Sequence, residues 1–131
     1  MKVHHLIQAY KMNNIEAELQ EENAKSGMIK YGKGMVSDYF LDSEDSIVSI
    51  QMFFNQIKDM DVLYSIKVIQ LIQTTIMLFC NISQKEVNLI LNGLGMFGTE
   101  KQEDAFIQHL QYQYRIKIES GVLYFSISEL N

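Results

Sequence analysis

The sequence predicts an α+β domain, mostly helical. Five to six helices surround one buried central helix at 62–80, with a C-terminal β-hairpin and a possible second hairpin at 28–41. Three observations carry this expectation. Val62–Cys80 (VLYSIKVIQLIQTTIMLFC) is the longest apolar run, and Lys67, Gln70, Thr74, Met77 and Asn81 recur at steps of three and four. Such spacing gathers them into a narrow stripe on a helix whose remaining circumference is apolar, the pattern of a buried helix. Next, Ser83 with Glu86 and Thr99 with Gln102 have the spacing of capping boxes, each ahead of an apolar helical pattern. Finally, the period changes to two at Tyr114–Glu119, turns at Ser120–Gly121 and returns through Val122–Ser128.

In chain order, Val3, Leu6, Ile7 and Tyr10 make a short amphipathic helical face. Asn13 with Glu16 resembles a further capping box, which restarts a helix from Ile15 through Leu19 to about Lys25. Gly27, Gly32 and Gly34 then break the helical pattern. The runs Met28–Tyr31 and Met35–Leu41 on either side of Gly-Lys-Gly predict a hairpin, because glycine supplies the positive φ of tight turns. A helix is expected over residues 43–58. Asp42 or Ser43 caps it, Glu44 and Asp45 complement its dipole, and Ile47, Ile50, Phe54 and Ile57 line its inner face. Asp61 caps the central helix. The helix opened by Ser83 carries Val87, Ile90, Leu91 and Leu94 and ends at Gly93 or Gly95. The helix opened by Thr99 places Phe106, Ile107, Leu110 and Tyr114 on its apolar side and leads into the final hairpin.

The chain of 131 residues fits one domain, with a helical and hairpin half at 1–60 and a second half at 61–131. A spanning role for the central helix is disfavoured by Lys67, Gln70 and Gln73, since a lysine at mid-bilayer costs about 2.5–3.5 kcal/mol. The N-terminus has no apolar signal segment, and the single cysteine, Cys80, allows no internal disulfide, which together place the protein in the cytoplasm. Frequent Ile, Asn, Gln and Lys without proline suggest an AT-rich bacterial or phage genome. A net charge of −5 argues against general affinity for phosphate backbones.

The element order from Asp61 to Ser128 resembles the winged-helix form of the helix-turn-helix. That resemblance implies that Thr99–Gln113 is a recognition helix, with Lys101, Gln102 and Gln108 facing nucleic acid, and that Arg115–Ser128, with Arg115 and Lys117, is the wing. The charges disagree with a DNA role. The candidate recognition helix has Lys101 against Glu100, Glu103 and Asp104, and base contacts without phosphate anchors give little affinity.

No nucleophile elbow, HExxH, zinc-spaced cysteine set or phosphate-binding glycine loop is present. His4 and His5 are adjacent, the wrong spacing for shared metal ligation on a helix. Adjacent carboxylates such as Glu21/Glu22 and Glu44/Asp45 read as solvated. The expectation is therefore a non-enzymatic intracellular interaction module without cofactor or metal, an adaptor, inhibitor or assembly factor of the kind phages and mobile elements carry. Eight methionines and fourteen aromatics (seven Tyr, seven Phe) exceed what a core this small needs. Met96, Phe97, Tyr112, Tyr114 and Tyr124 are the candidate partner-binding residues, toward another protein or a second copy of the chain. The alternative is a homodimeric winged-helix DNA-binding regulator, its basic surface assembled from Lys25, Lys30, Lys33, Arg115 and Lys117.

Overall fold

A computed structural model describes residues 1–32, 34–55, 62–96 and 104–130. The helices are α1 (Val3–Met12), α2 (Val62–Cys80) and α3 (Gln84–Gly93). The strands are β1 (Glu18–Glu22), β2 (Ser26–Gly32), β3 (Met35–Leu41), β4 (Ile47–Phe54), β5 (Asp104–His109), β6 (Tyr112–Glu119) and β7 (Val122–Glu129). All seven strands form one antiparallel sheet in the order β1-β2-β3-β4-β7-β6-β5. Among the described residues strand accounts for about 42% and helix for 34%, which overturns the mostly helical expectation. The two halves of the chain are two meanders joined where β4 pairs with β7 along six residue pairs, Ser49↔Ser128 to Phe54↔Leu123.

Two segments of the first half expected to be helical are strands. Glu18–Glu22 pairs with β2, bringing Leu19 opposite Ile29, and Ala17 just before it is buried. Cross-strand pairing here overrides a helix-favouring composition. Ile47–Phe54 pairs with β3, and its buried residues are Ile47, Ile50, Met52 and Phe54. The register shifts where Phe40 faces Ser49 but Leu41 faces Ile47, so Val48 is an extra residue on the β4 side. This bulge puts Ile47 and Ile50, three apart, on the same face and so imitates helical spacing. The acidic cap is real but serves a turn. The Asp42 carboxylate accepts from the backbone N–H of Glu44 at 2.8 Å and of Ser46 at 3.0 Å, closing the β3–β4 connection. Asp61 and the Asp59–Asp61 corner lie outside the described residues.

The expected bounds of α2 hold, as does the cap of α3, where the Ser83 side chain accepts from Glu86 N–H at 3.3 Å. α3 closes in a Schellman motif, with Met96 N–H bonded to Leu91 C=O, Gly95 N–H to Asn92 C=O, and Gly95 at φ +77°. The helix expected over Thr99–Gln113 is absent from its described part. Asp104–His109 is β5, Leu110 lies in a turn at φ +57°, and β6 begins at Tyr112. In its described part, the segment that carried the winged-helix resemblance is sheet strand and turn. The final hairpin stands, its turn formed by Ser120 (φ +52°) and Gly121 (φ +78°), the paired positive values of a tight strand connection.

All three helices cover the same face of the sheet. Tyr39, Ile50, Ile127 and Tyr114 form one cross-strand row beneath them, and Ser37, Met52, Phe125 and Ile116 form the next. α2 meets this face through Val68, Leu71, Ile72, Thr75, Ile76 and Phe79. It lies on a sheet rather than at the centre of a helical bundle. By length and composition alone α2 could cross a membrane, and about 33% of its most apolar window is buried inside the protein.

Helices and sheet are joined by four buried hydroxyls. Thr75 donates to the Leu71 carbonyl at 2.7 Å, so its oxygen accepts from Tyr10, 2.6 Å away. Tyr10 in turn accepts from Tyr31 at 3.3 Å, and Tyr31 accepts from Ser37 at 2.6 Å. One bond fixes the direction of all the others, Ser37→Tyr31→Tyr10→Thr75→Leu71. The row links β3, β2, α1 and α2, and Tyr31 meets Tyr10 edge-on at a centroid distance of 5.2 Å.

Burial pushes Tyr10 from 10.0 up to about 12, and burial beside Tyr10 raises Tyr31 well above its ordinary value. Below pH 10 both folded and unfolded chains keep these protons, and the stability is complete. Above pH 10 only the unfolded chain ionises, so stability falls until the folded value near 12 is passed. Titrated through this window, the protein is expected to lose urea resistance while Tyr10 and Tyr31 ionise only in the cooperative unfolding step. Tyrosinate absorbance from all seven tyrosines near pH 10 in folded protein would contradict this.

Candidate functional site

The four candidate partner-binding residues that are described do not converge. Tyr112 and Tyr114 alternate with Gln113 on β6 and point under the helices, where they are buried. The Tyr114 hydroxyl donates to Cys80 Sγ at 3.0 Å, and the Tyr112 ring lies 5.3 Å from Phe79. Met96 is half-buried against the core after α3. Tyr124 lies on the opposite face of the sheet, edge-on to Phe53 at 5.3 Å. Phe97 lies outside the described residues. The alternation through Tyr112, Tyr114 and Ile116 was the signal that could have assigned these tyrosines to the core.

Of the residues implied for nucleic acid, Lys101 and Gln102 lie outside the described residues. Gln108 is exposed on β5. Arg115 makes a two-pronged pair with Asp104, at 2.9 Å through Nε and 2.6 Å through a terminal nitrogen. Lys117 pairs with Glu119 at 3.1 Å, and Lys25 with Asp45 at 2.7 Å. These cations are already compensated within the chain. Lys11, Lys30 and Lys67 form no ion pair among the described residues. They line a groove between the α1–β1 connection, the end of β2 and α2, with lobes of about 670 and 580 Å³ that share Tyr31 and Gly32. Glu16 and Glu18 share its walls, so the groove is mixed in charge.

Cys80 ends α2 beneath β6. Burial pushes its thiol from 9.0 to about 11, against the hydrogen bond from Tyr114. A thiolate is the reactive form, so this cysteine is held in its unreactive state at neutral pH. His109 faces Glu86 on α3, with Nε2 and carboxylate oxygen 3.6 Å apart. No group of three or more metal-ligating side chains occurs among the described residues.

The surplus apolar surface lies elsewhere. On α2, Val62, Leu63 and Ile66 are 75%, 71% and 47% exposed. At 100° per residue Leu63 and Ile66 share the solvent side that becomes polar further along at Gln70 and Thr74, and Val62 lies between them and the Ile76 margin of the buried side. The expected polar stripe is thus correct, but its N-terminal continuation is apolar. Nothing in the aliphatic side chains of Val62, Leu63 and Ile66 themselves distinguishes them from core. Leu89 of α3 is 59% exposed and adjoins Gln73 of α2 across a shallow depression of about 670 Å³.

Alkylation of Cys80 in the folded chain at neutral pH is expected to be about 100-fold slower than in the unfolded chain, from a shift of roughly two pK units. Equal rates in a thiol-reagent assay would show the thiol to be accessible and unperturbed. Compared with protein-family models, curated proteins and solved structures, the chain shows no significant match.

Proposed function

We propose that this chain is a small non-enzymatic protein-interaction module that docks through the exposed N-terminal half of α2. The observation behind this reading is the cluster Val62, Leu63 and Ile66, three large aliphatic side chains on consecutive turns and one side of a helix, all open to water. Soluble surfaces bear scattered apolar residues without consequence, but a contiguous set on a rigid helix is the form a docking face takes.

Magnitudes set the extent of the contact. Fully covering each of these side chains contributes about 1.5–3 kcal/mol. Association itself costs about 4–15 kcal/mol in lost freedom, so the three together, at about 4.5–9 kcal/mol, leave little surplus for a stable complex. Leu89, also exposed on the helical layer, is the natural extension of the contact. The homodimeric DNA-binding alternative needs free cations, and Arg115 and Lys117 are engaged with Asp104 and Glu119.

The double variant Leu63→Asp with Ile66→Asp tests the reading. Both positions are solvent-facing, so the circular dichroism spectrum and melting temperature are expected to stay near those of the parent. A protein retained by the immobilised parent chain from its own cell extract is expected to be lost from the variant by at least tenfold. Retention unchanged by the variant, or no specific retention by the parent, would overturn it.

A further inference from the structure

The two edges of the sheet are built differently. β1 carries exposed Glu18 and Glu22, and a register shift between Leu19 and Glu21 interrupts its pairing. A bulge and charges are what keep an edge strand from adding another strand. β5, at the other end of the sheet, pairs with β6 without a register shift over Asp104–His109. It contains no lysine, arginine or proline, and its one carboxylate, Asp104, is held by Arg115. At its middle Phe106 is 65% exposed.

We infer that β5 is the seam of a homodimer, in which two copies pair antiparallel edge to edge about a two-fold axis at Phe106 and double the seven-stranded sheet. The backbone parity of β5 supports this register. His109 and Tyr112 flank the two-residue turn of the β5–β6 hairpin, so they exchange both backbone hydrogen bonds. Ladder bonds alternate along an antiparallel pair. Ile107 and Ala105 therefore also bond inward to β6, while the N–H and C=O groups of Asp104, Phe106 and Gln108 point to the free edge. Centred on Phe106, the register matches all three of those residues with outward-pointing residues of the second copy. Centred one residue on, at Ile107, it would match only two.

The side chains that this register brings together are compatible. Phe106 meets the partner's Phe106 on the open face, and Ala105 meets the partner's Ile107 on the helical face. Asp104 lies opposite the partner's Gln108, whose amide can donate to the carboxylate, so no like charges are opposed. α3 lies directly above β5, where Gly93 is packed against the Ile107 side chain and Glu86 faces His109. The second α3 is thereby brought alongside in antiparallel orientation and adds area beyond the strand itself. A second copy fits this edge better than an arbitrary extended peptide because the edge complements its own charge, parity and apolar centre.

The full chain is expected to sediment at twice its 15.2 kDa mass at micromolar concentration. Gln108→Pro removes an outward N–H used only across the seam, and Phe106→Lys opposes two like charges at the axis. Both are expected to give monomers with the parent's circular dichroism spectrum. Residues exchanging both hydrogen bonds across antiparallel strands have Cα atoms about 5.5 Å apart, within disulfide reach. Phe106→Cys is therefore expected to cross-link to a covalent dimer under mild oxidation at least tenfold faster than Gln20→Cys on β1. The α2 variant Leu63→Asp with Ile66→Asp is expected to remain dimeric, which separates this inference from the docking surface proposed above. A monomeric parent chain, dimers that survive both Gln108→Pro and Phe106→Lys, or cross-linking at position 106 no faster than at position 20 would overturn it. Dimers of Leu63→Asp with Ile66→Asp reduced to monomers would place the seam on α2 and overturn it equally.

Discussion

The buried row of hydroxyls from Ser37 to Thr75 is the constraint around which this fold is arranged. Apolar burial supplies the larger free energy. Each fully buried Ile, Phe or Leu contributes about 1.5–3 kcal/mol, against about 0.5–1.5 kcal/mol net for a hydrogen bond. Apolar contacts have no direction, however, and α1 could slide along α2 and keep most of them. The hydroxyls permit one alignment. Thr75 spends its proton on the Leu71 carbonyl, and every other proton in the row then has one place to go. A shift of one residue would leave a polar group buried and unpaired, at a cost of about 1–3 kcal/mol for each. The row thus sets the positions of α1 and α2 on β2 and β3.

That positioning determines what the surface offers. With its Val68, Ile72 and Ile76 side pinned to the sheet, α2 must present the opposite side to water. Its first turns therefore expose Val62, Leu63 and Ile66. α3 packs beside α2 and above β5, which brings the outer helix and the outer strand to one edge of the molecule. The interior chemistry is quiet by comparison. Cys80 is kept protonated by burial, and the hydroxyl of Tyr114 is committed to it. On the open face Arg115 is paired with Asp104 and Lys117 with Glu119. The exposed apolar side chains thus fall at two places, the first turns of α2 and the middle of β5.

Parts of this arrangement are readable from residue order, for physical reasons. α2, α3 and the β6–β7 hairpin announce themselves because each has an uninterrupted period and a local stop or start signal: Ser83 and Gly95 for α3, Ser120 and Gly121 for the hairpin. β4 is misread because its bulge at Val48 converts a two-residue period into a spacing of three. β5 is misread because Phe106, Ile107, Leu110 and Tyr114 have helical spacing while belonging to a strand, a turn and a second strand. The capping signal at Asp42 is legible but ambiguous, since the same carboxylate geometry closes a turn or opens a helix. The hydroxyl row is not legible at all. Its members lie 6 to 65 residues apart, and nothing local to Tyr10 points to Thr75.

The most direct measurement of the central claim is a double-mutant cycle between Tyr10→Phe and Ser37→Ala, read by urea unfolding. Tyr31 stands between these two hydroxyls, accepting from Ser37 and donating to Tyr10. If the row acts as one directed unit, the two losses are expected to deviate from additivity by about 0.5 kcal/mol or more, as groups within one network do. Losses that add within about 0.3 kcal/mol would show independent hydrogen bonds, and the hydroxyl row could not then be what sets the helices on the sheet.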